Sequence, residues 1–162
     1  MEQLTHIDEN GNAVMVDVTE KDITTRTARA SGIIRLSEEA IKAVSDSTVP
    51  KGDVLAAARI AGIMAAKKTP ELIPLCHPLC LTKVSVDFEI IADKGLIRCE
   101  CMVKLDGKTG AEMEALAGVS TALLTIYDMC KAIDKTMVIS DICLEEKTGG
   151  KSGVYTRNTV DE

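Results

Sequence analysis

The sequence contains very few aromatic side chains and very few histidines. Among its 162 residues there are no tryptophans, one phenylalanine, two tyrosines and two histidines. The chain is also acidic, with a net charge of −6 and a sequence pI of about 5.0. A nucleic-acid-binding protein needs a basic face and usually stacks bases on aromatic rings. We therefore expect no nucleic-acid partner, while a local group of lysines remains compatible with an anionic small ligand.

Long apolar runs are missing as well. No segment has the length and hydrophobicity of a membrane span, and the first residues, MEQLTHIDEN, have neither the basic region nor the apolar run of a secretory signal. Six cysteines without such a signal indicate reduced thiols. The sequence thus predicts a cytoplasmic protein with no membrane association.

The composition that remains is typical of one compact domain. Hydrophobic residues make up 46% of the chain and charged residues 27%, which indicates a folded protein and not a disordered one. We expect an amino-terminal arm over residues 1–23, with a short strand candidate at 13–18. A core follows over residues 24–144, and a glycine- and lysine-containing loop and tail complete the chain over residues 145–162.

Hydrophobic periodicity predicts the elements of this core. In chain order they are a strand over 24–36, a short helix over 38–44 capped by Ser37, a helix over 51–68, strands over 81–91 and 96–105 joined by a turn at 92–95, a helix over 111–135, and a strand over 137–144. With the short helix set aside, the order is βαββαβ, the ferredoxin-like α+β arrangement of an antiparallel sheet with helices on one face. The uncovered sheet face, and a helix 51–68 that is apolar nearly all round and contains Gly62, both favour burial against another subunit.

His77 stands between two prolines in the segment PLCHPL, residues 74–79. Each proline ring fixes its own φ and biases the preceding residue toward extended geometry, so we expect a stiff, non-helical turn. An imidazole that titrates near neutral pH on a rigid connector suits a polar active site. A histidine that only caps the preceding helix is an equally open interpretation.

The long predicted helix carries its charges near its two ends. Glu112 and Glu114 lie in the first turn, where acidic side chains also suit the helix dipole. Asp128 and Lys131 follow an uncharged stretch and share one face. We interpret them as a partly buried functional pair, with a surface ion pair as the alternative. Glu114 and Asp128 are ~20 Å apart along a straight helix. Either one end is functional, or different subunits contribute the two ends to one pocket.

The segment GGKSG, residues 149–153, resembles a phosphate-binding loop. The nucleotide motif needs a glycine five residues before the Gly-Lys pair, and position 145 is glutamate, so a Walker A site is excluded. A flexible loop that closes over phosphate with Lys147 and Lys151 is still consistent with the sequence, and a disordered tail is the alternative.

A zinc site would have to use Cys76, His77 and Cys80, together with Cys99 and Cys101. The spacing matches no standard zinc finger, and the last two cysteines fall on the apolar face of a predicted strand. Buried structural thiols are therefore expected.

Eight sequence blocks in one order resemble the molybdenum cofactor biosynthesis protein C family of cyclic pyranopterin monophosphate synthases. They are LTHID (4–8), MVDV (15–18), KGDVL (51–55), AKKT (66–69), LCHPL (75–79), TGAEMEAL (109–116, apart from residue 111), LTIYDMCKA (124–132) and GGKSG (149–153). Together they cover nearly the whole chain. The departures, Ala111 and the pair 117–118, are apolar helix positions outside the expected chemistry.

The resemblance implies a reaction and an assembly. The substrate would be 3′,8-cyclo-7,8-dihydroguanosine 5′-triphosphate, supplied by an upstream radical GTP cyclase. The product would be cyclic pyranopterin monophosphate, with pyrophosphate released. Members of the family assemble as homohexamers, each a trimer of dimers, and their active-site pocket lies between subunits. No resident cofactor is implied, and Mg²⁺ bound with the triphosphate stays an open alternative.

The resemblance also places the site residues. The catalytic acid/base aspartate of the family falls on Asp128, and its lysine partners fall on Lys51 and Lys131. Substrate-contacting positions fall on Leu75, Cys76, His77, Met113 and Glu114, and further pocket positions on Glu112, Arg26, Asp17, Lys21, Lys67, Lys147 and Lys151. A ferredoxin-like nucleotide sensor that binds without converting its ligand is the main alternative. Such a sensor needs lysines for phosphate but no acid–base pair.

Overall fold

A computed structural model describes residues 6–158 of the chain. Its elements in chain order are β1 (Thr24–Arg35), α1 (Glu38–Ser45), α2 (Val54–Lys67), α3 (Thr69–Leu72), β2 (Leu81–Ile91), β3 (Leu96–Gly107), α4 (Glu112–Cys130), β4 (Val138–Thr148) and β5 (Tyr155–Thr156). The residues of the predicted arm and tail at 1–5 and 159–162 lie outside the described residues. No helix among the described residues is long and apolar enough to cross a membrane.

The strands form one antiparallel sheet in the order β2-β3-β1-β4-β5. The helices α2 and α4 cover one face of it, so the predicted ferredoxin-like α+β fold is confirmed, with β5 added at one edge. Alternate residues of β1 and β3, such as Ala30 and Ile97, form the core beneath these helices. Cys99 and Cys101 lie in this core as predicted, and burial raises the pKa of each thiol to about 12.

The two long helices pack directly against each other at glycines. A Cβ built on Gly62 would lie 2.9 Å from the carbonyl oxygen of Gly118. The expected close approach of another backbone at Gly62 is confirmed. That backbone is α4 of the same chain, so this contact does not by itself indicate a second subunit.

The helix α2 begins three residues later than predicted. Gly52 has a left-handed φ of 98°, and the Asp53 carboxylate accepts the N–H of Ala56 at 2.9 Å as an N-cap. Lys51 consequently lies in the loop before the helix.

The helix α4 ends at Cys130, five residues before the predicted end. Asp134 accounts for the early end, because its buried carboxylate accepts the backbone N–H of Thr136 and of Ser37, each at 2.7 Å. The bond to Thr136 is a local side-chain bond of the kind that competes with continued helix, and the bond to Ser37 fixes Asp134 to a distant part of the chain. Lys131 is thus the C-cap that follows the last helical residue and not an interior position.

The sheet extends beyond the predicted core. β4 continues through Lys147 to Thr148, and β5 pairs with it, so residues 145–162 are not only loop and tail. The strand predicted at 13–18 is reduced to a single bridge between Ala13 and Ile7. The end of β4 was not predicted because its sequence, EEKT at 145–148, is polar. Its glutamates face away from the helices.

The uncovered face of the sheet carries a charged network. Arg29 pairs with Glu100 at 3.0 Å and with Glu146 at 3.3 Å, and Arg98 pairs with Glu145 at 3.5 Å. Water can solvate such a face, so its exposure does not by itself demand a partner, contrary to the expectation from the sequence.

Candidate active site

Lys51, Asp128 and Lys131 form a three-residue group, the Asp128 cluster, at the carboxyl end of α4. Lys51 Nζ donates to one carboxylate oxygen of Asp128 at 2.8 Å, and Lys131 Nζ donates to the other at 2.7 Å. Lys51 also donates to the backbone carbonyl of Asp128 at 3.1 Å. The resemblance alone had pointed to Lys51, and the structure brings it to the pair from 77 residues away.

The Asp128 cluster is exposed, and the partly buried pair expected from the sequence is not seen. The side chains of Lys51, Asp128 and Lys131 are 47%, 56% and 55% exposed. Hydrogen bonds from Lys131 and Lys51 lower the pKa of Asp128 to about 2, and Asp128 in turn raises the pKa of Lys131. In the single chain Asp128 and Lys131 are therefore charged at neutral pH.

A cavity of about 310 Å³, the His77 pocket, lies at the opposite end of α4. The arm, the turn between α3 and β2, and the first turn of α4 form its walls. Its lining residues are His6, Val16, Val18, Lys21, Leu75, Cys76, His77, Leu79, Thr109, Gly110, Glu112, Met113 and Glu114. The predicted residues Leu75, Cys76, His77, Met113 and Glu114 thus lie together.

Glu114 is a buried carboxyl group in the wall of the His77 pocket. Glu114 is only 3% exposed. Burial raises the pKa of its carboxyl group to about 6, and the charge of nearby Glu112 also raises it. The nearby Cys76 thiol is affected by this carboxyl group. Burial is the larger cause of the raised pKa of Cys76, and the charge of Glu114 raises it further. A carboxyl group that titrates near neutral pH in a cavity is a candidate functional group.

His77 holds the amino-terminal arm against the pocket. Its Nε2 lies 2.8 Å from the backbone oxygen of Val16. A carbonyl only accepts, so Nε2 carries the proton and donates. The helix-capping interpretation of His77 is not what the structure shows, since its partner is in the arm.

A second cavity of about 510 Å³, the lysine pocket, adjoins the first. Both are lined by Lys21, Thr109, Gly110 and Glu112. The remaining lining residues of the lysine pocket are Asp22, Thr24, Arg26, Lys108, Lys147, Gly150, Lys151 and Ser152. Its five basic side chains outnumber the two acidic ones, which favours an anionic ligand.

Lys147 and Glu112 form the ion pair at the centre of the lysine pocket. Their Nζ–Oε1 distance is 2.8 Å, and both side chains are about 30% exposed. Lys147 reaches this position because β4 extends to it and places it opposite Ala28 of β1.

Two of the predicted substrate-binding residues, Asp17 and Lys67, lie outside both cavities. The Asp17 carboxylate accepts the N–H and the hydroxyl of Thr19, a local turn that lowers the pKa of Asp17. Lys67 lines a separate groove beside the start of β2. Each lies next to an element that does line the His77 pocket.

Lys108 is the main residue that the sequence interpretation missed. It lines the lysine pocket, and its Nζ donates to the backbone carbonyl of Thr19 at 2.6 Å. Its position just before Thr109-Gly110 was the available signal, because that pair opens the recognised α4 block. Across residues 6–158 no group of three or more His, Cys, Asp or Glu side chains is placed to hold a metal ion.

Comparison with known proteins gives a consistent result. Residues 15–150 match the model of the MoaC family. The chain is 58% identical over 155 residues to a cyclic pyranopterin monophosphate synthase of Desulfitobacterium hafniense, covering 96% of this chain and 94% of that protein. It is 57% identical over 157 residues to the protein of the same name from Heliobacterium modesticaldum, covering 97% and 99%. At this identity and coverage, the chain belongs to the MoaC family of molybdenum cofactor biosynthesis enzymes.

Proposed function

We propose that this enzyme converts 3′,8-cyclo-7,8-dihydroguanosine 5′-triphosphate to cyclic pyranopterin monophosphate and pyrophosphate, as a phosphorus–oxygen lyase. One observation carries the proposal: a pocket with five basic side chains adjoins a pocket with one buried carboxyl group, and the two share four lining residues. The first suits a triphosphate and the second suits the hydrogen-bond-donating edge of a guanine-derived ring.

The ring fits the His77 pocket chemically. An ionised Glu114 accepts hydrogen bonds from the N–H groups of the guanine-type edge, and Met113 supplies apolar contact beside it. Hydrogen bonds to a charged acceptor in a buried site are among the stronger ones. The pKa of about 6 keeps Glu114 mostly ionised at neutral pH while leaving it able to exchange a proton.

The triphosphate fits the lysine pocket. Formation of the cyclic phosphate joins a sugar hydroxyl oxygen to the α-phosphorus, and the bond from the α-phosphorus to the bridging oxygen breaks. The hydroxyl proton leaves to a base, and pyrophosphate departs with the bond electrons. Lys147, Lys151 and Lys21 would neutralise the departing charge, since positioning and cationic charge dominate phosphoryl transfer. Any Mg²⁺ would arrive with the triphosphate and would not belong to a resident protein site.

The Asp128 cluster supplies the proposed acid–base chemistry of ring rearrangement. Lys51 and Lys131 are ammonium donors, and Asp128 orients both and accepts protons. A carboxylate with a pKa of about 2 is a weak base, so the exposed cluster of the single chain is not yet tuned for this work. Burial by a second subunit would raise that pKa toward a useful range.

The surface of the helix layer suits such an assembly. Ile60, Met64 and Leu124 are 60%, 51% and 59% exposed on α2 and α4, and the α4 stretch 115–127 carries no charge. A two-fold axis passing near Thr121 would place the α4 helices of two copies against each other in antiparallel directions. Because Thr121 lies midway between Glu114 and Asp128, each copy would then bring its Asp128 cluster to the other copy's His77 pocket. We propose this as the dimer unit of a homohexamer.

The first experiment is turnover of the purified cyclic triphosphate, followed by pyrophosphate release and pterin formation, for wild type beside Asp128→Asn. Product from wild type alone supports the synthase and the role of Asp128. Product from both removes Asp128 as an essential acid or base. Ligand binding without product in either protein would favour the sensor interpretation.

Subunit complementation tests the shared pocket. Asp128 lies near the carboxyl end of α4, and Lys147 of β4 pairs with Glu112 at its amino end. On the shared-pocket proposal, neither the Asp128→Asn nor the Lys147→Ala homo-oligomer has a complete site. Random mixing of refolded subunits should restore about a quarter of wild-type activity, since half of the two-fold dimers would be mixed and each would hold one intact site. No recovery on mixing would place both residues in a site within one chain.

Two contextual proposals follow from the same reaction. The substrate is a reactive nucleotide product, so an upstream radical GTP cyclase must supply it. All six cysteines are free thiols, which fits the reducing cytoplasm as the site of action.

A further inference from the structure

Arg26 lies near the start of β1 and uses its guanidinium on the protein backbone. Its Nε donates to the carbonyl of Gly107 at 3.0 Å, and its Nη2 donates to the carbonyl of Lys108 at 3.1 Å. A planar guanidinium donates in this paired way where an ammonium cannot. The two acceptors belong to the turn that leads into α4.

Gly149 packs against the backbone of Thr25 and Arg26, and Gly150 packs against this guanidinium. Both have left-handed backbone, with φ of 92° and 75°. A Cβ on Gly150 would overlap Nη1 of Arg26 and lie 2.9 Å from its Cζ, and a Cβ on Gly149 would overlap the carbonyl oxygen of Thr25. Any side chain at either position would displace the strand or the guanidinium.

The turn at 107–108 also holds the arm. The side chain of Lys108 donates to the carbonyl of Thr19 at 2.6 Å, two residues before Lys21. Three separate segments of the lysine pocket are therefore linked to the Arg26 side chain. The 107–108 turn accepts its hydrogen bonds, the diglycine loop at 149–150 packs against it, and the arm is attached to that turn by Lys108.

We propose that Arg26 is a positioning residue, which sets the spacing of the basic side chains around the triphosphate by locking the 107–108 turn to the diglycine loop. This inference rests on the proposed function of the lysine pocket. It assigns Arg26 to the protein and not to direct phosphate contact. It also explains why two glycines stand between Lys147 and Lys151. Without the guanidinium, two carbonyl oxygens would be left without their donor beside an anion site.

A double-mutant cycle tests the coupling. Inorganic tripolyphosphate is titrated calorimetrically into wild type, Arg26→Lys, Gly150→Ala and the double variant. Gly153→Ala is the matched control, because Gly153 is also left-handed at 66° but a Cβ there meets nothing within 4 Å. Arg35→Lys is the control on the same strand.

Each single variant should weaken tripolyphosphate binding by about tenfold, because hydrogen bonds from a charged donor are lost or misplaced. The double variant should bind tripolyphosphate at most about twofold more weakly than the weaker-binding single variant. Both changes disrupt the same contact between Arg26 and the diglycine loop, so their effects should not add. Both controls should bind like wild type. Losses that multiply in the double variant, or unchanged binding by Arg26→Lys, would overturn the proposal.

Kinetics with the cyclic triphosphate supply the second readout. Arg26→Lys should raise KM about tenfold with little change in kcat, because it alters ligand placement away from the Asp128 cluster. A fall in kcat with unchanged KM would put Arg26 in the reaction itself and overturn the proposal. If wild type forms no pterin, the proposed function fails, and the tripolyphosphate cycle still decides the positioning role.

Folding is monitored by thermal melts of every variant. If Arg26→Lys does not fold, Gly150→Ala must by itself weaken tripolyphosphate binding about tenfold relative to Gly153→Ala. Equal binding by these two alanine variants would overturn the proposal.

Discussion

Replacing Glu114 with glutamine should stabilise the enzyme at neutral pH and weaken its binding of substrate. The carboxyl group is almost fully buried, and burial together with Glu112 raises its pKa from an ordinary value of 4.5 to about 6. The folded protein thus binds this proton more tightly than the unfolded chain does. Ionised Glu114 is a cost to folding that the uncharged amide removes.

The sign and size of the effect follow from linkage. Below pH 4.5 the group is protonated in both states and costs nothing. As pH rises from 4.5 to about 6, the unfolded chain ionises first and the folded state loses relative stability. Above that range the full penalty is about 2 kcal/mol, because each tenfold change in proton affinity is worth about 1.4 kcal/mol.

Urea unfolding of wild type and Glu114→Gln at fixed protein concentration measures this penalty. The variant should be more stable by about 2 kcal/mol at pH 8 and nearly equal to wild type at pH 4. Glu89→Gln, on the exposed side of β2, should show no such pH-dependent difference. A variant less stable than wild type at pH 8 would mean that the carboxylate is satisfied in the fold, and it would refute the reasoning.

Three further outcomes are expected. Lys51→Ala and Lys131→Ala should each abolish turnover but leave the melting temperature nearly unchanged, since exposed ion pairs add little stability; retained turnover would sink their catalytic assignment. Gly62→Ala should cost about 1–3 kcal/mol in urea unfolding, because its Cβ would lie 2.9 Å from the Gly118 carbonyl oxygen; a neutral result would show that α2 and α4 can separate freely. Leu124→Glu should yield smaller, folded species by light scattering, and an unchanged oligomer would move the proposed dimer surface elsewhere.

Much of the fold could be predicted because one face of each central strand is buried. β2 was predicted at its observed bounds, and Ser37 was recognised as an N-cap, since alternation and capping are local signals. The end of β4 was missed because Glu145 and Glu146 find arginine partners from other strands, which no local pattern reveals. The start of α2 was misplaced because a helix-forming composition outweighed the Gly52-Asp53 start signal, in which Asp53 is the N-cap.

The site was less predictable from the residues alone. Spacing placed Asp128 and Lys131 on one helix face, but Lys51 was predicted only from the family resemblance. A contact between residues 77 positions apart leaves no periodic pattern in the sequence. Lys108 was missed for a similar reason, since a lysine in a polar turn is usually a solvated side chain. The link between Arg26 and Gly150 depends on strand register, which becomes visible only after β1 and β4 are paired.

The proposed division of the site between the two ends of α4 has a chemical consequence. On this proposal, phosphate binding and ring recognition would need only the two adjoining pockets, which one chain forms by itself. The Asp128 cluster is preformed but exposed, and its carboxylate is held too acidic to exchange protons at neutral pH. Covering it with a second copy would remove water from the cluster and raise that pKa. Assembly would therefore add proton transfer to a subunit that, on this proposal, already binds its ligand. A dissociated subunit should then bind the triphosphate without converting it, as a sensor would, and pterin formation that returns on reassembly would distinguish the synthase from a sensor.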